Sequence, residues 1–163
     1  MRAVAVDLDG ALGDTHPLWS DFLEDAARRF ASIAPLDLAA LPADRAAAAE
    51  ELDRWAAAGI GDWRAALERF AEDRAPVYLR PSAEANAALR ALQAAGTPVG
   101  VFTDAPEELA RVALAQLGAT RRVEALEAGA GARDRLLTRL GEDVAVAATR
   151  EDLAKIGAGA ERR

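Results

Sequence analysis

Apolar and polar positions change rhythm several times along this chain. Ala3 to Val6 is a continuous apolar run that stops at Asp7, the pattern of a short strand buried in a parallel sheet. From Trp19 the apolar positions fall at Trp19, Phe22, Leu23, Ala26 and Phe30, which is one face of a helix. Asp44 is placed to cap a second helix that runs to about Ala58. AAGIGDW at 57–63 is a break, and Asp62 then caps a third helix carrying Ala66, Leu67, Phe70 and Ala71. The character changes at Pro81. Ser82 caps a helix through Ala95 that Gly96 closes. PVGVFTD reads as a strand, and Pro106, Glu107 and Glu108 as the first turn of a helix ending at Leu117 and Gly118. The pattern then predicts a strand at Val123 to Leu126, a helix over 133–140, a strand from Glu142 to Ala147 and a last helix opened by Thr149. The tail GAGAERR is expected to fray.

This alternation predicts an α/β fold: a small Rossmann-like parallel sheet of four strands with helices on both faces. The all-helical stretch falls after the first strand. The expected division is therefore a core made of 1–14 and 81–163, with an inserted helical cap at 15–80.

Composition narrows the function classes. A chain of 163 residues, 52% hydrophobic and 29% charged, suits one packed domain with an inserted module. A net charge of −7 with no basic run argues against nucleic acid and anionic membrane surfaces as partners. There is no cysteine, which excludes disulfides and thiolate metal sites, and the lone His16 excludes a histidine-rich zinc site. No apolar run approaches the roughly 18 residues of a membrane span, and the N-terminal run is too short for a signal peptide. A cytoplasmic protein is expected, as a monomer or a homodimer.

Candidate chemistry lies at two strand ends. Asp7 and Asp9 leave the first strand two residues apart, so on extended backbone both carboxylates face one site. Gly10 permits a sharp turn after them. One carboxylate could attack or hold a metal while the other moves a proton; the plainer alternative is two solvated acids in a turn. Thr103 ends the second apolar strand beside a helix start, where a hydroxyl can contact a phosphate oxygen or simply cap the helix.

Together these stretches resemble one family. DLDGALGDT resembles the first motif of the haloacid dehalogenase superfamily, whose usual form is Asp-X-Asp-Gly-Thr-Leu, with Ala11 at the usual threonine. VFTDAP at 101–106 resembles the second motif, and LRALQAAGTPVGVFTD and LAQLG fit the same pattern. The helical stretch at 15–80 lies where phosphatases of the phosphoglycolate phosphatase and β-phosphoglucomutase type carry a cap. The resemblance implies that Asp7 is a nucleophile forming an aspartyl-phosphate. Asp9 would protonate the leaving oxygen and then activate water. Thr103 would hold a phosphate oxygen, with Asp104 beside it. It also implies Mg²⁺ among Asp7, Asp9 and an acid of the fourth motif. Dehalogenases proper usually lack the second aspartate, so Asp9 points to phosphoryl transfer.

Two departures matter. The family's third motif supplies a lysine, but the only lysine here is Lys155, after the fourth motif; Arg133 lies in about the right place to substitute. The fourth motif usually reads Gly-Asp-(Ser/Thr)-X-X-Asp. Laid on VAVAATREDL, it puts Ala148 at the first aspartate and Asp152 at the last. Asp152 is thus the remaining candidate ligand, or half of a capping pair with Thr149. Among cap residues, Trp63 and Arg64 are the candidates for substrate contact, and His16 falls at the expected hinge. The expectation is a phosphatase acting on a small phosphomonoester with a degenerate metal motif. The alternative is a catalytically impaired protein of this fold that binds a phosphorylated metabolite or a protein partner.

Overall fold

The computed structural model describes residues 3–34 and 36–162; Pro35 and the chain ends fall outside. Strand β1 (Ala3–Asp7) is central in a parallel sheet with β2 (Val99–Thr103), β3 (Ala125–Ala128) and β4 (Val144–Ala147), in the order β3-β2-β1-β4. Between β1 and β2 lie α1 (His16–Phe30), α2 (Arg45–Ala57), α3 (Trp63–Tyr78) and α4 (Ala83–Ala94). Then α5 (Glu107–Gln116) joins β2 to β3, α6 (Ala132–Leu140) joins β3 to β4, and α7 (Arg150–Glu161) closes the chain. This is the expected α/β, Rossmann-like arrangement.

Connection handedness explains which helix covers which face. The path β1-β2-β3 moves one way across the sheet, and the step from β3 to β4 goes back across it. Right-handed crossovers must therefore place α6 on the face opposite α4 and α5. The strand residues divide accordingly. Val4, Val6, Val99 and Val101 pack with Leu89, Leu92, Leu109 and Leu153 in the larger core. Ala5, Phe102 and Ala125 face the other way, against Ala132 and Leu136 of α6.

The helices between β1 and α4 do not form a separate core. Phe22 of α1, Leu52 of α2, and Trp63 and Leu67 of α3 belong to the same apolar cluster as Val6 and Leu109. Trp19 and Trp63 meet edge to face at 6.2 Å, within the range where aromatic pairs add to simple burial. Helix α2 contributes least: its buried apolar residues are Ala46, Ala48, Ala49 and Leu52.

Two local expectations shift. The third strand lies at Ala125–Ala128, two residues beyond its expected place, because a 3-10 turn at Thr120–Arg122 precedes it. The tail, expected to fray, is helical to Glu161; Arg163 lies outside the described residues. The reason is Gly157, which lets α7 approach α4 closely: a Cβ there would lie 2.7 Å from the Cα and Cβ of Ala88. Among the described residues no helix is long and apolar enough to cross a membrane.

The two glycines of α7 should respond oppositely to alanine. Gly157→Ala overpacks the α4 contact and should cost about 1–3 kcal/mol in urea unfolding. Gly159 has nothing within 4 Å of its missing Cβ, so Gly159→Ala should stabilise by up to about 1 kcal/mol through helix propensity. Equal responses would remove the close-approach explanation for the ordered tail.

Candidate active site

The carboxyl ends of β1, β2 and β4 define the site. Asp7 pairs in register with Phe102, and Val6 with Ala147. One residue further along β4, Ala148 therefore leaves the sheet beside Asp7. A wide π-type turn, Leu8–Leu12, starts at once after β1. Leu8, Ala11 and Leu12 are buried and hold the turn on the core, while its remaining residues are left to the polar side. Asp9 thus reaches the cleft from this turn and not from extended backbone. Asp7 caps the turn: its Oδ1 accepts the Asp9 N–H at 3.1 Å and, more weakly, the Gly10 N–H at 3.5 Å. Gly10 is required by close approach, since a Cβ would sit 2.0 Å from the Ala148 carbonyl oxygen.

Asp9 is the hub. Its Oδ1 accepts the Thr15 N–H at 2.8 Å and the Thr15 hydroxyl at 2.5 Å. Its Oδ2 accepts the Thr103 hydroxyl at 2.8 Å and Nη2 of Arg45 at 2.7 Å. Arg45 is the first residue of α2 and is fully buried. Its Nη1 donates to the Thr15 hydroxyl at 2.6 Å, and its Nη2 to Asp104 Oδ1 at 2.5 Å. The Thr103 hydroxyl in turn accepts the Ala105 N–H at 3.1 Å.

These contacts separate the two aspartates electrically. Burial pushes the Asp7 carboxyl above its ordinary value; the Gly10 and Asp9 amides oppose this, and the charges of Asp9 and Asp104 add to it. Burial would raise Asp9 as well, but the Arg45 guanidinium and the Thr15 and Thr103 donors outweigh it and hold the carboxyl low. Burial likewise opposes the charge on Arg45, and Asp104 and Asp9 overcome it.

Asp7, Asp9, Thr103, Asp104, His16 and Arg133 line a cleft of about 490 Å³. A larger groove, about 1050 Å³, lies between α4 and α7, lined chiefly by apolar side chains with exposed Arg90 and Lys155. It gathers no pair of carboxylates, so the smaller cleft is the candidate site.

The family model for haloacid dehalogenase-like hydrolases matches residues 1–151. The chain belongs to the haloacid dehalogenase-like hydrolases. Among solved structures, it is similar to the crystal structure of the "putative beta-phosphoglucomutase" from Thermotoga maritima, with a TM-score of 0.54 and 20% identity. That match covers 97% of this chain and 82% of the other, and it shows a shared fold. Among curated proteins none matches this haloacid dehalogenase-like hydrolase.

Of the residues singled out from the sequence of this hydrolase, Asp7, Asp9, Thr103, Asp104 and Arg133 meet around one cleft. Arg133 is exposed, in the first turn of α6. Asp152 is not among the cleft residues. Its Oδ2 accepts the Ala148 and Thr149 N–H groups, both at 3.1 Å, and the Thr149 hydroxyl accepts the Asp152 N–H, completing a capping box. Trp63 is buried in the core with its indole N–H on Asp53 at 3.0 Å, so it presents nothing to a ligand. Arg64 lines a neighbouring space of about 270 Å³ and bridges Asp53 and Glu108. His16 begins α1 at the cleft edge and its Nδ1 hydrogen-bonds Asp14 at 2.6 Å. Asp9, Asp14 and His16 could offer ligand atoms to a metal within 4.8 Å of one another.

Sequence reading passed over Arg45 and Thr15. A cation in the first turn of a helix opposes the helix dipole. Arg45, alone before four alanines, carried that signal.

The Asp9 pairing predicts an acid-side effect. A carboxyl held low in the folded state adds stability that is fully present above its ordinary value of 3.8 and vanishes as pH falls through the lower folded value. Asp9→Asn should therefore cost about 3 kcal/mol at neutral pH. Urea melts should show that gap narrowing as the pH is taken below 3.8. A gap independent of pH would mean that the Asp9 charge contributes nothing.

Proposed function

We propose that the chain is a phosphatase that cleaves a small phosphomonoester through Asp7. The carrying observation is the placement of Asp7 beside Asp9 at the end of β1, with the Thr103 hydroxyl on Asp9 Oδ2 at 2.8 Å. In this reading Asp7 attacks phosphorus, forming a P–O bond as the ester P–O bond breaks. Asp9, ionised in the network described above, first takes up a proton from solvent and then gives it to the departing oxygen. Water then attacks the aspartyl-phosphate, Asp9 takes its proton back, and inorganic phosphate leaves with Asp7 restored. Thr103 holds a phosphate oxygen, Asp104 flanks it, and Arg133 adds positive charge at the mouth.

The oxygen donors here fit Mg²⁺ in kind but are few in charge. Asp7 and the Asp9 main-chain carbonyl would hold the ion, with Asp152 available only if its carboxylate leaves the capping box. When bound, Mg²⁺ neutralises phosphate charge so that an anionic nucleophile can approach. The helices α1–α3 serve as the cap over the site, with Arg64 on the cap side and Trp63 as its internal support. The acidic, cysteine-free chain suits the cytoplasm.

The second reading is a catalytically impaired relative that binds a phosphorylated metabolite or a protein partner. The observation favouring it is Ala148: beside Asp7 this chain presents a methyl group where the family's fourth motif has a carboxylate.

Turnover of an aryl phosphate distinguishes the two. Asp7→Asn should lose the native rate by roughly a thousandfold or more, because it removes the nucleophile. Ala148→Asp should lower the Mg²⁺ concentration needed for half activity by about tenfold or more. Equal rates for the native chain and Asp7→Asn would sink the phosphatase reading and leave the second.

A further inference from the structure

The groove of about 1050 Å³ between α4 and α7 takes no part in the chemistry above. Val4 and Thr97 place it near the amino ends of β1 and β2, whereas the cleft lies at the carboxyl ends. Side-chain size creates it. Gly157 and Ala88 bring the two helices into close approach. Beside that contact the lining positions Ala91, Ala94, Gly159 and Ala160 are too small to fill the space between the helices. The missing Cβ of Gly159 meets nothing within 4 Å. Buried Val4 and Leu92 form the floor, and half-buried Ile156 stands on the α7 side. Water in this groove therefore lies mostly against carbon, and replacing it with an apolar body is favourable.

The polar lining selects the rest of an occupant. Arg90 enters from α4 and Lys155 from α7, and both are exposed. Arg90 has no ion-pair partner among the described residues. Lys155 meets Glu151 at 2.8 Å one turn back, but both side chains are largely in water, where such a pair is worth little. Glu161, the last residue of α7, is the acid among the lining residues. Two cations against one acid leave the groove with a single positive charge in excess. In a chain of net charge −7 this is a local reversal of sign. A carboxylate carries one negative charge and fits the guanidinium fork of Arg90. An anionic membrane is repelled by the charge of the whole chain. A second copy docked about a two-fold axis would set the same cations against each other.

We propose that this groove is a second binding site, for a free amphipathic monocarboxylate of the medium-chain fatty-acid type. Its apolar body lies on Val4, Leu92 and Ile156, and its carboxylate pairs with Arg90 and Lys155. The site stands apart from the phosphatase reading, because none of its lining residues lines the cleft. A ligand there joins α4 to α7 at the end of the sheet away from Asp7.

Calorimetric titration of the full chain with decanoate tests this. Decanoate should bind saturably at one site. Decyltrimethylammonium, with the same body and the opposite charge, should bind at least about tenfold more weakly. Octanoate should lose up to about fourfold for each CH₂ removed. Arg90→Ala should weaken decanoate by about tenfold, and Glu161→Gln should tighten it. Ala87→Trp and Ala94→Trp each put an indole into the groove from an exposed position on α4 and should abolish binding. Circular dichroism checks that these variants fold, and either tryptophan serves if the other does not. Decanoate should slow amide exchange in α4 and α7 and leave α1–α3 unchanged. Absence of saturable binding, equal binding of the two amphiphiles, or binding that survives Arg90→Ala and the folded tryptophan variants overturns the site. A dimer seen in sedimentation and abolished by Ala94→Trp would give the groove to a second copy and overturn it too. Capture by anionic phospholipid vesicles that Arg90→Ala removes would give it to a membrane, with the same result.

Discussion

A carboxylate taken out of water must be met by donors, and around Asp9 that demand organises three parts of the molecule. Only 13% of its side chain remains exposed, so its charge persists only if hydrogen bonds replace the lost hydration. Thr15 supplies two of them from just before α1, Thr103 one from the end of β2, and Arg45 one from α2. Each partner comes from a different element. The hub therefore fixes where the inserted helices meet the sheet, and a change at any partner is felt by the other two.

The same demand gives the two aspartates different characters. Asp7 meets two backbone amides and two neighbouring negative charges, and burial lifts its carboxyl. Asp9, two residues on, is held low by a buried cation. These directions favour an ionised Asp9 and oppose ionisation of Asp7, the reverse of what attack by Asp7 and proton donation by Asp9 would need, and the difference comes from one turn. The turn places Asp7 at its cap and Asp9 inside its first residues.

Much of this was legible in the residues. The apolar runs of β1 and β2 and the capping signals of α2, α3, α4 and α7 are local patterns, and local physics places them correctly. Asp7 and Thr103 were legible because they end strands, and Asp9 because it follows Asp7 by two residues. What escaped depends on distant neighbours. The order of the tail rests on Gly157 meeting Ala88. Trp63, beside a glycine turn, reads as a candidate for substrate contact until Trp19 and Asp53 close around it. Arg45 lies 36 residues from Asp9, and no periodicity links them. Asp152 shows the reverse: its spacing from Thr149 fitted a cap as well as a ligand, and in the folded chain its Oδ2 takes the cap amides.

The contact between Gly10 and the Ala148 carbonyl has a consequence for descent. The loop after β4 is shaped by backbone meeting backbone there, and by main-chain amides closing on Asp152. The side chain at 148 is exposed and takes no part in either. Related chains can therefore vary between alanine and aspartate here while the loop keeps its backbone contacts, so that a change of side chain at 148 alters what stands beside Asp7 and not the shape of the loop.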